Sequence, residues 1–337
     1  MIKQLITKDG KVSLGWLQEP VEEINYLDYS LRSVMDERLP LWRKKIRFNQ
    51  FQFVGLMCPE IICGIAIVDL KLVSNAFLYV YDFESGRLRQ KSLLQPLGYA
   101  TSIGLRPDSN EALFVQGKNR LKLSTGPGGL TEIDVTIGND VSIQASIQAE
   151  KSFSPLRVCS KAGYDGWVYT QKSAGLRASG TVVWDDLKVE LEPGTAFGSS
   201  DWTAGYMRKD TFWNWACLAG QDDKGRMIGL NLAAGVNETG VTENGLWVNN
   251  KFQKLDLAVF DYDRQAPEKE WSVSTSDGRV QLKFVPQGVR QEKINVFVIA
   301  SNFKQMFGKF YGTVKCGREL VKVDGVPGFV EDHYARW

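Results

Sequence analysis

Ile133-Asp-Val-Thr-Ile-Gly-Asn-Asp-Val-Ser-Ile-Gln-Ala-Ser-Ile147 is the stretch whose reading decides the fold. Its apolar residues fall at every second position: Ile133, Val135 and Ile137 before Gly138-Asn139-Asp140, then Val141, Ile143, Ala145 and Ile147. A period of two is that of a half-buried strand, and Gly-Asn-Asp is turn chemistry, so the segment reads as an antiparallel hairpin. The same grammar continues on both sides of it. Residues 77–83 meet Glu84-Ser-Gly86 and return as residues 87–94; Leu246-Trp-Val248 turns at Asn249-Asn250; Val280, Leu282 and Phe284 alternate after Ser276-Asp277-Gly278. Helical spacing is confined to residues 21–35, where Ile24, Leu27 and Leu31 suit a short helix ending before Pro40. Short strands joined by tight turns predict an all-β protein, a sandwich or barrel rather than an α/β sheet.

With 337 residues, 43% of them hydrophobic, the chain can bury one large core or two ordinary ones. Glu192-Pro-Gly-Thr-Ala-Phe-Gly-Ser-Ser200 separates two strand-rich halves and puts a boundary between domains 1–195 and 196–337. The 41 Lys+Arg are scattered among 39 Asp+Glu for a net charge of +2, so no basic field for nucleic acid emerges. One basic cluster, Arg43-Lys44-Lys45 with Arg47, reads as a solvated loop or strand edge, with an anionic-lipid or nucleic-acid patch as the alternative. The first ten residues lack the features of a signal peptide. The most apolar run, about residues 53–72, is interrupted by Pro59, Glu60 and Asp69, so no stable membrane insertion is expected. Cys58, Cys63, Cys159, Cys217 and Cys316 are dispersed and read as reduced thiols, which places the protein in the cytoplasm.

Several chemistries drop out. There is no Gly-x-Gly-x-x-Gly after a strand, no phosphate-binding loop and no Gly-x-Ser-x-Gly elbow. A single histidine, His333, rules out a multi-histidine metal site, and Cys58 and Cys63 lack a second thiol pair at finger spacing. No metal and no cofactor are expected; an enzyme built from this chain would run on carboxylates, one histidine and aromatics.

Two stretches concentrate such groups. In Gly325-Val-Pro-Gly-Phe-Val-Glu-Asp-His-Tyr-Ala-Arg-Trp337 an extended chain puts Glu331, His333, Ala335 and Trp337 on one face, and Asp332, Tyr334 and Arg336 on the other. The plain reading is that Arg336 and Trp337 clamp the segment onto a sheet. The functional reading puts His333 and Glu331 in a pocket as proton donor and acceptor. In Ser200-Asp-Trp-Thr-Ala-Gly-Tyr-Met-Arg-Lys-Asp-Thr-Phe-Trp-Asn-Trp-Ala-Cys217, Trp213 and Trp215 share a strand face with Cys217, opposite Phe212, Asn214 and Ala216. These tryptophans read either as barrel core or as an aromatic wall for a ligand. Asp201 and Arg208 are placed to form a charge-assisted pair. The loop carrying Asn237, Glu238, Glu243 and Asn244 reads chiefly as turn and hydrogen-bond chemistry. The candidates are therefore Asp201, Glu331 and His333 as catalytic groups, and Trp202, Arg208, Trp213, Trp215, Asn231, Glu243 and Arg336 as ligand-binding groups.

Leu39-Pro40-Leu41-Trp42, Gly166-Trp-Val-Tyr-Thr-Gln-Lys172 with Gly180, Asp201-x-x-x-Gly205 leading into Phe212-Trp-Asn-Trp215, Gly229-Leu-Asn-Leu232, Thr242-Glu-Asn244, Phe307-Gly-Lys-Phe-Tyr-Gly312 and Glu331-x-His333-x-Ala-Arg-Trp337 follow in order along the chain. Together they resemble the domain-of-unknown-function family numbered 2804 over nearly the whole length. That family is similar, more remotely, to the calycin-like proteins that include carotenoid 1,2-hydratases, hydroxyneurosporene synthases, AttH-like proteins and some fungal cyclases of the Diels-Alderase type. The resemblance implies two tandem lipocalin-like antiparallel β-barrels with few short helices, and a pocket in or between them. The hydratases carry an Asp-His pair where this chain has Asp201-Trp202, and no catalytic residue is carried over.

Three functions stay open. One is a cofactor-free hydratase, cyclase or isomerase acting on a lipophilic unsaturated substrate, since protonating an alkene needs a desolvated acid and a cation needs aromatic faces. Another is a non-catalytic binder or carrier of lipid-like molecules, which needs an apolar cavity without converging charges. The third is scaffolding through an exposed sheet edge. In the first two the expected partner is a hydrophobic small molecule or lipid-like ligand.

Overall fold

The computed structural model describes residues 2–237, 240–296 and 299–336. Three short strands, β1 (Ile2–Gln4), β2 (Gly15–Trp16) and β3 (Val21–Glu23), lead to a 3-10 turn at Tyr26–Asp28 and the helix α1 (Leu41–Arg47). The helix expected over residues 21–35 does not form. β1 and β3 pair in parallel, and the Asn25 side chain accepts from the Ile6 amide at 2.9 Å and donates to the Ile6 carbonyl at 3.0 Å. A side chain that substitutes for a backbone partner in this way holds its segment out of a helix, so Ile24 and Leu31 reach the core from a loop. Helix α1 begins instead after Pro40, where a missing N–H costs nothing.

A meander of β4 (Asn49–Met57), β5 (Ile61–Asp69), β6 (Val73–Asp82) and β7 (Leu88–Pro96) opens the first sheet. A second meander follows through β8 (Thr101–Ile103), β9 (Asn110–Gln116), β10 (Asn119–Thr125), β11 (Leu130–Ile137) and β12 (Val141–Gln148). β13 (Leu156–Ala162), the long β14 (Gly166–Trp184), β15 (Leu187–Leu191) and β16 (Phe197–Gly205) complete it. The order is β7-β6-β5-β4-β16-β14-β12-β11-β10-β9-β8. The hairpin expected over residues 133–147 is β11–β12, with Val135 opposite Ile143 and Ile137 opposite Val141. The sheet curls until β8 packs back against β4 and β5. Side-chain amides tie each end strand to the strand it curls towards: Gln50 Nε2 of β4 donates to the Ile103 carbonyl of β8 and Gln116 Nε2 of β9 to the Leu94 carbonyl of β7, each at 2.8 Å.

The second sheet runs β20-β19-β18-β17-β25-β24-β23-β22-β21. Its strands are β17 (Asp210–Gln221), β18 (Met227–Ala234), β19 (Gly245–Val248), β20 (Lys251–Lys254), β21 (Ala258–Asp261), β22 (Trp271–Thr275), β23 (Val280–Val296), β24 (Ile299–Cys316) and β25 (Glu319–Arg336). It curls likewise, bringing β18 near β21. The predicted turn at Asn249-Asn250 is present, both residues having φ near +45 to +65, the twist that suits a tight hairpin. The architecture is thus all-β, two curled half-barrel sheets in tandem. The chain passes between them after Gly205 rather than at the expected 195/196 boundary, because β16 is hydrogen-bonded between β4 and β14.

Each sheet wraps its own apolar core. Phe114, Trp167, Tyr169 and Trp184 lie in the first, and Trp271, Phe284 and Phe310 in the second. A third cluster joins the outer faces of the two sheets, with Phe53, Tyr79, Tyr81 and Phe197 from one and Trp215, Trp247, Phe307 and Phe329 from the other. Strands β4 and β5 are buried on both faces, which accounts for the concentration of apolar residues in that part of the sequence. No helix among the described residues is long and apolar enough to cross a membrane.

Candidate functional site

The seam between the two sheets holds most of the residues that the sequence singled out. Because side chains in a strand alternate, β17 sends Trp213, Trp215 and Cys217 to the seam while Ala216 joins the second core. Strand β25 runs beside it, so Trp215 lies opposite Glu331 and Trp213 opposite His333. On the other side of β25, Glu331 faces Gln305 of β24, and Gln305 faces Arg290 of β23. Trp215, Glu331, Gln305 and Arg290 therefore form one row across four strands. The first sheet answers with Lys172, Asp201, Phe53, Ala66 and Phe77, successive cross-strand partners on β14, β16, β4, β5 and β6. The rows meet: the Lys172 ammonium lies 5.0 Å from the Trp215 ring centre, Phe53 meets Trp215 edge-on at 5.5 Å, and the Arg290 guanidinium lies 4.7 Å from Phe77.

Lys172 is the hub of an ion triad across the seam. Its Nζ lies 2.8 Å from Asp201 Oδ2 and 3.3 Å from Glu243 Oε2, and all three side chains are buried. Burial works against the Lys172 charge, but Asp201 and Glu243 outweigh it and hold the ammonium above the usual lysine value. Asp201 also accepts from Thr170 at 3.1 Å and Thr203 at 2.7 Å. Glu243 accepts from Asn237 at 2.9 Å, and its carbonyl accepts from Asn231, whose Oδ1 takes the Trp215 indole N–H at 2.7 Å. Asn231 thus brackets the triad to the aromatic wall. Glu238 lies outside the described residues.

Beside the triad sits Glu331, 5% exposed. It accepts from Gln305 Nε2 at 2.6 Å and from the Trp213 indole at 3.2 Å. Burial pushes its carboxyl up to about 7, against the lowering effects of the Trp213 bond, Arg290 and Lys172; Asp201 adds to the rise. His333 packs against Trp213 at 4.2 Å and Phe303 at 4.8 Å, with Ser301 Oγ 3.1 Å from Nε2. Burial, reinforced by the Arg290 charge, lowers it to about 3, so its ring is neutral at physiological pH. Its buried Nδ1 has no hydrogen-bond partner, an orphan that a polar ligand atom would satisfy. Arg290 is itself held by Gln90 at 2.9 Å and by the faces of Tyr79 and Phe303.

Three sequence candidates lie elsewhere. Trp202 points from the opposite face of β16 into the first core, edge-on to Tyr169. Arg208 does not take the role of partner to Asp201, which Lys172 holds; it donates to the carbonyls of Gly235 and Val236 at 3.3 Å. Arg336 pairs at the surface with Asp210 at 2.7 Å. Trp337, its expected companion, lies outside the described residues. Sequence reasoning passed over Lys172, Gln305 and Arg290. Their one signal was a charge or an amide at positions in phase with the buried residues of the same strand.

The model of the family described as Domain of unknown function (DUF2804) matches residues 2–337. The chain belongs to that family. No curated protein matches this DUF2804 chain in sequence. Among solved structures, CghA is similar with a TM-score of 0.61 at 9% identity, covering 98% of this chain and 96% of its own. CghA with Sch210972 gives 0.59 at 8% identity, covering 94% and 97%. Kievitone hydratase from Nectria haematococca gives 0.49 at 11% identity, covering 85% and 88%. At such identities the DUF2804 chain shares the fold with CghA.

Proposed function

We propose that the protein is an acid–base enzyme of the hydratase, cyclase or isomerase type, and that its lipophilic unsaturated substrate binds at the seam between the sheets. The observation that carries this is the enclosure of Glu331 between Trp213 and Gln305, next to the charged triad. A carboxyl poised near neutrality can both give and take a proton at working pH. His333, held neutral beside it, does not take up a proton at working pH and serves as a hydrogen-bonding group; its unpartnered Nδ1 is the atom that a polar group of the substrate would meet. Trp213 and Trp215 offer the faces on which positive charge developing in a protonated alkene is stabilised. Trp213 and His333 are only partly buried, so a substrate would enter past them. The fold is one that has been solved in CghA with Sch210972. A carrier would be served by an apolar cavity, and converging ionisable groups at the seam favour chemistry instead. The buried free thiols support a cytoplasmic setting.

The test is to incubate the purified protein with a panel of prenylated and polyene compounds and read products by mass spectrometry. Gain of water or conversion to an isomer of unchanged mass is expected, falling by about 100-fold or more in Glu331→Gln. Compounds that bind and return unchanged, equally well to Glu331→Gln, would make the protein a carrier.

A further inference from the structure

Helix α1 buries none of its seven residues, although Leu41, Trp42 and Ile46 are among them, 61%, 58% and 39% exposed. Lys44 turns inward, donating to the Leu27 carbonyl at 2.9 Å and to that of Tyr29. At 100° per residue this sends the stripe of Trp42 and Ile46 away from the barrel. The preceding loop adds Val34 and Met35, more exposed still. Val34, Leu39, Trp42 and Ile46 line one shallow depression of about 460 Å³ together with Arg43 and Arg47. The register of β4 to β7 places the turns at residues 70–72 and 97–100 at this same end of the first barrel, where Leu72, Leu97 and Tyr99 are exposed as well.

Charge accompanies the apolar surface. Arg38, Arg43, Lys45 and Arg47 are exposed around it, against Asp36 and Glu37. The Arg43 guanidinium lies 5.1 Å from the Trp42 ring centre. Exposed tryptophan with leucine and methionine, ringed by arginine and lysine, matches the boundary between acyl chains and anionic headgroups. Nucleic acid would have no use for Leu41, Val34 and Met35, and a purely apolar protein groove none for the cations.

We infer that this end of the first barrel docks peripherally on an anionic phospholipid surface, with Trp42, Leu41 and Met35 entering the headgroup layer and Arg43, Lys45 and Arg47 meeting the phosphates. The inference is independent of the chemistry at the seam. It is tested by floating the full chain with vesicles of phosphatidylcholine alone or mixed with phosphatidylglycerol, at low and high salt. Binding is expected only to the mixed vesicles and is weakened by salt. Trp42→Glu and the pair Arg43→Glu with Lys45→Glu should each reduce it by about tenfold or more, with circular dichroism melts unchanged because no helix residue is buried. Absence of binding at low salt, equal binding to both vesicles, or variants that bind like the parent would overturn the inference. So would a dimer in sedimentation that Trp42→Glu dissolves, since the patch would then serve a second copy of the chain.

Discussion

A carboxyl enclosed as Glu331 is, between an indole and an amide, gives the stability of this chain a particular pH dependence. Its value rises from 4.5 to about 7 on folding, so between those pH values the native state holds a proton that the unfolded chain has lost. Stability therefore falls as pH climbs through that window. His333 acts in the opposite sense. Its value drops from 6.5 to about 3, the unfolded chain takes the extra proton, and stability falls as the medium is acidified below 6.5. A tenfold change in proton affinity corresponds to about 1.4 kcal/mol, so both effects are large beside ordinary net stability. Glu331→Gln cannot ionise and should remove the first slope. Measured by denaturant unfolding, the variant is expected to gain on the parent by a few kcal/mol between pH 5 and pH 8. An unchanged difference between the two pH values would mean that Glu331 titrates as an ordinary carboxylate.

Strands meet backbone to backbone where β14 bulges at Gly175 and touches β18 at Gly229. A Cβ added to Gly229 would lie 2.0 Å from the Ala174 carbonyl oxygen, and both elements are fixed in their sheets. Gly229→Ala must therefore part the two sheets and is expected to cost about 3 kcal/mol, seen as a lowered thermal midpoint. Gly194→Ala, whose Cβ would meet nothing within 4 Å, should change it little. That contact also marks where sequence reading stops. The hairpins at β6–β7, β11–β12 and β19–β20 were legible because each is local, with a turn and an alternating pattern inside one short window. The sorting of Trp213 with Trp215, and of Glu331 with His333, onto one face of its own strand followed from the same period; that the two strands are neighbours did not. The partnership of Lys172 with Asp201 and Glu243 did not, because it joins segments far apart in the sequence and, in Glu243, crosses the seam. Residues 21–35 misled because the Asn25 side chain, docked on Ile6, overrides a helical spacing that only three apolar residues support.

Burial of both outer faces makes the two barrels one thermodynamic body. Phe307 belongs to the second sheet, yet its ring lies 5.1 Å from Tyr79 and stacks on Tyr81 at 5.2 Å, and the Tyr81 hydroxyl donates to the Gln287 carbonyl at 2.7 Å. Phe53 is lodged between Trp215 and Phe329 in the same manner. Neither sheet can leave without exposing this cluster and stranding Lys172 from Glu243, a buried charge separated from one of its partners. Equilibrium unfolding is therefore expected to be a single transition. Phe307→Ala removes a fully buried ring and should cost about 3–5 kcal/mol. That loss should appear equally in both barrels when amide exchange is followed in β11 and β12 of the first and in β22 and β23 of the second. These strands lie away from the substitution in the first case and around it in the second, so the comparison separates a shared body from two linked ones. Faster exchange confined to β22 and β23, or two resolved transitions in calorimetry, would show that the seam is an interface between independently stable halves.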